Sequence, residues 1–116
     1  MAPVEPASGL DEIIEQTLCE CARRYAAAGT DAARTLVAFD RERGQFLLMD
    51  EGWEGYRRIH HVWAHVERRD GKLWVHEDGT EVGIASLLVA AGVPRERIVL
   101  AFHAPVLRSA TEFAVA

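Results

Sequence analysis

The chain has 116 residues, 49% of them apolar, which is enough for one compact domain with one core and too few for two. Lys and Arg number 13 against 18 Asp and Glu, for a formal charge of -5. That balance opposes general adhesion to nucleic-acid phosphates or anionic membranes and leaves room only for a local basic patch.

The opening "MAPVEPASG" has neither a basic segment nor an apolar segment of the signal-peptide kind, and residues 1–9 are expected to form a flexible lead-in. No apolar run approaches the roughly 20 residues that a membrane span needs, so a cytoplasmic, reducing setting is expected. Ser8 is placed to cap a helix. From Leu10 to Ala28 the residues Leu10, Ile13, Ile14, Leu18, Cys21, Ala22 and Tyr25 recur at helical spacing, opposite Glu12, Glu15, Gln16, Glu20 and Arg23. Gly29 then suits the left-handed residue that ends a helix. Cys19 and Cys21, the only cysteines, point in different directions from such a helix; neither a disulfide framework nor a CxxC zinc or redox site is present, and both read as structural.

After Gly29 the period changes. "RTLVAFD", "GQFLLMDEGW", "RRIHHVWAHVERR" and "KLWVHED" are rich in β-branched and aromatic residues and separated by Gly and Asp, which predicts an antiparallel β-meander of about four strands. Trp53, between glycines, reads as a core anchor at a turn. Asp70-Gly71 suits a two-residue type I′ hairpin, whose central residues both need positive φ. That turn would pair Arg69 with Lys72, Glu67 with Trp74, His65 with His76 and Trp63 with Asp78.

"TEVGIASLLVAAG" returns to helical spacing through Val82, Ala85, Leu88 and Ala91 and stops at Gly92 before Pro94. "RIVLAFH" reads as a fifth strand, and the apolar tail "TEFAVA" as a short strand or core plug. The sum is a single α+β domain: an N-terminal helix, the meander, a second helix and one or more C-terminal strands, with the helices on one sheet face.

The hairpin register sorts its side chains into two faces. Val62, Ala64, Val66, Leu73 and Val75 form a core face. Trp63, His65, Glu67, Trp74, His76 and Asp78 form the other. His65, His76 and Glu67 could supply three zinc ligands with an open fourth position, or a general base near neutral pH. The same face could instead carry only solvated cross-strand pairs. A third reading takes Trp63, His65, Glu67, Trp74 and His76 as a partner or self-association interface, because Trp is enriched where binding energy concentrates. His60 and His61 read as residues leading into the strand.

Arg57, Arg58, Arg69 and Lys72, with Arg68, make a candidate nucleic-acid edge, or a charged edge that discourages sheet aggregation. Ser86 lies in "GIASLL" and not in G-x-S-x-G. "DGTEVG" satisfies neither the phosphate-loop nor the dinucleotide pattern; Asp78 or Thr80 capping the second helix, with Glu81 in its first turn or in a capping box with Asp78, explains it better.

The segment "HEDGTEVGIASLLVAAGVPRERIVLAFHAP", the terminal "TEFAVA" and the upstream "GWEGYRRIHHVWAHVERRDGKLWV" resemble the fdxN element excision controlling factor proteins, the XisI-like family. The resemblance covers about Asp40 to Ala116. It departs at the hairpin, where the family pattern H-[IL]-D is replaced by His65, Val66 and Glu67, and the fourth strand ends in His76 and Glu77. The resemblance implies a compact α+β fold and a non-enzymatic accessory role in regulated DNA excision, a form of site-specific recombination, beside a companion XisH-type factor. It brings no catalytic residue and no cofactor.

Overall fold

The computed structural model describes the backbone of residues 7–28 and 33–116 and the side chains of residues 9–24 and 33–116. Helix α1 (Ala7–Ala28) is followed by strands β1 (Ala33–Asp40), β2 (Gln45–Glu54), β3 (Arg57–Arg69) and β4 (Lys72–Asp78), helix α2 (Ile84–Ala90), strand β5 (Ile98–Leu100) and a short helix α3 (Pro105–Arg108). The strands form one sheet in the order β1-β2-β3-β4-β5. β1 to β4 are an antiparallel meander, as the punctuation predicts, and β5 returns parallel to β4 after α2. The tail adds a parallel bridge from Ala114 to Val99, and Phe113 packs partly buried against the core.

Leu10, Ile14, Leu18 and Cys21 of α1, and Ile84, Ala85 and Leu88 of α2, meet Phe46, Leu48, Ala64, Val66, Leu73, Val75, Ile98 and Leu100 of the sheet in one buried cluster. Both long helices therefore lie on one face. The chain is already helical at Ala7, so Ser8 stands inside α1 and the lead-in ends earlier than expected. The rest of the lead-in and Gly29 fall outside the described residues.

The turn conformation predicted for the β3–β4 hairpin is present. Asp70 and Gly71 have φ of 54° and 74°, as type I′ requires, and Gly55 at 62° begins the two-residue turn between β2 and β3. Trp53 is not a core anchor: it is 57% exposed near the tip of the β2–β3 arm, with the Arg58 guanidinium 5.2 Å from its ring.

Helix α2 starts at Ile84, so Val82 and Glu81 precede it and both are exposed. The expected capping box does not form. Asp78 nevertheless accepts the Ile84 N–H at 2.6 Å and the Thr80 N–H at 3.1 Å, while Thr80 Oγ1 accepts the Gly83 N–H at 3.0 Å. Donors at the start of the helix are thus satisfied from the preceding loop.

Candidate functional site

Two register shifts interrupt the regular ladder, and each leaves one extra residue. β3 carries Trp63 as an extra residue against β2, where Leu48 faces Ala64 but Met49 faces Val62. β4 carries His76 as an extra residue against β3, where Val75 faces Val66 but Glu77 faces His65. Such bulges change which face the following side chains occupy.

The first bulge exchanges two residues. Trp63 packs partly buried against the helix-side core, edge-on to His61 at 5.2 Å between ring centroids. Val62 instead joins Met49 and Leu36 on the open face, the sheet face away from α1 and α2. The second bulge turns Asp78 to the helix side, opposite Ala64, where it caps α2. The pairings Arg69–Lys72 and Glu67–Trp74 agree with the sequence reading. His65–His76 and Trp63–Asp78 do not, and Trp63 and Asp78 leave the face on which the sequence placed them.

His65, Glu67 and His76 do converge on the open face, joined by Gln45 of β2. Gln45 Nε2 donates to Glu67 Oε2 at 3.1 Å and to the Arg43 carbonyl at 3.2 Å, which turns its amide oxygen toward His65. His65 Nε2–H therefore donates to Gln45 Oε1 at 2.7 Å. His76 Nε2–H donates to Glu67 Oε1 at 2.8 Å, and the two imidazoles lie 4.7 Å apart. Burial, then the neighbouring His76, pushes the His65 pKa below its ordinary value. The hydrogen bond from His76, with further help from Gln45 and Arg69, holds Glu67 below the usual carboxylate range. Glu67 is thus an ionised acceptor serving two donors.

This arrangement does not assemble the zinc set considered from the sequence. Glu67 and both Nε2 atoms are turned toward hydrogen-bond partners, and the described residues contain no cluster of three ligating side chains.

Beside the cluster, the Trp74 ring lies 3.8 Å from the Arg69 guanidinium and 5.7 Å from that of Arg108. Arg108 is anchored to the carbonyls of His103 and Ala101 at 3.1 and 3.4 Å. The Trp74 Nε1 is buried with no hydrogen-bond partner among the described residues. Across the rest of the open face lie the half-buried side chains of Leu36, Leu47, Met49 and Val62.

The basic residues do not form one patch. Arg57 and Arg58 flank the arm tip and pair with Glu54 and Glu51 at 3.4 and 2.6 Å. Arg69 and Lys72 lie at the other end of β3, a distance of roughly 40 Å along a strand of this length. Arg69 is 3.6 Å from Glu67, and Lys72 donates to the Ala116 carbonyl. Arg68 turns inward and donates to Asp11 of α1.

Residues 6–115 match the model of the XisI protein family. The chain belongs to the XisI family. Among solved structures, a XisI-like protein from Anabaena variabilis is 32% identical, with a TM-score of 0.87, covering 96% of this chain and all of its own. The fdxN element excision controlling factor XisI from the same organism is 29% identical, with a TM-score of 0.79, covering 95% of this chain and 98% of its own. No protein of curated function matches the chain significantly. The XisI assignment carries the whole α+β fold. No helix among the described residues is long and apolar enough to cross a membrane.

Gln45 and Arg108 belong to this candidate site and were not singled out from the sequence. Gln45 enters only through the β2–β3 register, and Arg108 only through the fold-back that carries α3.

Proposed function

We propose that this chain is a non-enzymatic accessory factor of the excision-control kind, working through protein contacts made by the open sheet face around Trp74. The similarity to an fdxN element excision controlling factor supports the role. One structural observation supports the mechanism: His65, Glu67, His76 and Gln45 are tied to one another by hydrogen bonds into a polar cluster beside Trp74. Next to that rigid cluster is an aromatic and aliphatic surface made by Trp74, Leu47, Met49 and Val62, which neither α1 nor α2 covers. A desolvatable centre with a polar rim is the usual anatomy of a docking face.

The partner we propose is a companion factor of the XisH type. Co-purification of the two proteins tests this, using Met49→Asp and Val62→Asp, both on the open face. Each is expected to abolish co-purification while the far-ultraviolet circular dichroism is kept. A folded variant that still retains the companion overturns the assignment of this face.

A further inference from the structure

The two edges of the sheet are finished differently. β5 has three residues and is continued by the Ala114 bridge, a short and covered edge. β1 has eight residues, pairs with β2 without a register shift, and has no other strand neighbour among the described residues. Its sequence, "ARTLVAFD", contains no proline, no lysine and no bulge, three of the devices that block strand addition, and its charges, Arg34 and Asp40, are opposite in sign. Val37 and Phe39 on its helix side are only partly buried. A long edge of this kind exposes backbone donors and acceptors to any strand with a matching register.

The register can be worked out for a second copy. Two identical antiparallel strands related by a two-fold axis pair residues whose numbers have a constant sum. That sum must be even, because opposed residues face the same side of the sheet and make the same kind of backbone contact. The axis therefore passes through a residue. Centred on Val37, the pairing sets Val37 against Val37, Leu36 against Ala38, Thr35 against Phe39 and Arg34 against Asp40. Both Arg34 and Asp40 lie on the open face, and their present partners, Glu51 and Arg43, leave the two side chains 70% and 40% exposed. Moving the axis to Leu36 would set Arg34 against Ala38 and lose the charge match.

We propose that β1 is a self-association edge, joining a second copy of this chain by antiparallel pairing about Val37 with reciprocal Arg34–Asp40 contacts. The result is an isologous dimer in which the sheets run on continuously and the helices of both copies share one side. This edge is distinct from the companion-factor surface around Trp74, and its test contains no companion protein.

Sedimentation equilibrium of the full chain, wild type and charge variants, tests the proposal. The wild type is expected to dimerise. Arg34→Asp and Asp40→Arg each set like charges opposite one another twice in the dimer, and each is expected to weaken association on the order of tenfold or more. The doubly reversed chain, R34D with D40R, restores the match and is expected to recover the wild-type dimer. A wild type that stays monomeric at the highest soluble concentration overturns the proposal. So does a dimer indifferent to both single reversals, and so does a double reversal no better than the singles.

Discussion

Arg68 Nε donates to Asp11 Oδ1 at 2.6 Å, tying the first turns of α1 to the sheet across 57 positions of sequence. Asp11 is 4% exposed, and the same guanidinium also donates to the Arg41 carbonyl at 2.6 Å. Removing one member of a buried pair strands the other charge. Arg68→Ala is expected to cost about 3 kcal/mol in urea unfolding. Replacing both partners, with Asp11→Leu and Arg68→Met, should recover much of that loss; a double variant as unstable as the single would show that the pair itself is not the reason.

Gly44 and Gly55 make a matched comparison. Both have positive φ, 67° and 62°. A Cβ at Gly44 would lie 2.5 Å from the Arg68 carbonyl oxygen, whereas one at Gly55 meets nothing within 4 Å. Gly55→Ala should therefore show only the left-handed backbone cost of about 1 kcal/mol. Gly44→Ala adds a collision with backbone that cannot rotate away, and also strains the Arg68 N–H to Gly44 carbonyl bond of 2.8 Å. Thermal unfolding should separate the two by at least a further ~1 kcal/mol.

Acid should destabilise the fold in two steps. His65 has its folded pKa lowered from 6.5, first by burial and then by His76. As pH falls through 6.5 the unfolded chain takes up its proton before the folded one does, so stability drops from there until the folded pKa is passed. Glu67 is lowered from 4.5, chiefly by the His76 hydrogen bond. Its contribution is complete above 4.5 and is lost as pH falls from there through its folded value. Urea midpoints measured across pH 7 to 3 should show both declines, and His65→Gln should remove the upper one alone. An unchanged upper decline in that variant would assign it to another group.

Asp78 accepts the first N–H of α2 from six positions upstream. Asp78→Ala is expected to cost about 1 to 2 kcal/mol, the upper part of the range for a lost cap, because the same carboxylate also organises Thr80. Asp78→Asn, which keeps an acceptor, should recover about half. Amide exchange at Ile84 is the local readout: protection unchanged in Asp78→Ala would contradict the capping role.

The β3–β4 hairpin was legible because one strong turn fixes it: with Asp70-Gly71 in place, alternation carries the pairing correctly as far as Glu67 and Trp74. It fails at the next step, and for a definite reason. A bulge is chosen by three-dimensional fit, here Trp63 against the core and Asp78 under α2, and alternation contains no mark for an extra residue. The same single-residue shift hides Gln45. Counting back from the Gly55 turn without a bulge would set Gln45 against Val66 on the wrong face, whereas the real ladder sets it against Glu67. The convergence of His65, Glu67 and His76 survived because the extra residue is His76 itself, which still reaches Glu67. Trp53 was misread because glycine neighbours mark a turn without saying whether that turn lies over the core or beyond it.

The unequal margins of the sheet also bear on solubility. A molecule with two long open edges can add copies at both and grow without limit. Here the β5 margin is three residues long and bridged by the chain's own tail, which leaves β1 and the Arg57–Val62 stretch of β3, beyond the end of β4, as the longer margins among the described residues. Once two molecules have met at β1, the longer margin left is the arm stretch of β3, whose exposed Arg57, Arg58, His60 and His61 discourage strand addition. Assembly through β1 alone stops at a pair, because a two-fold contact uses the same edge of both copies and closes on itself.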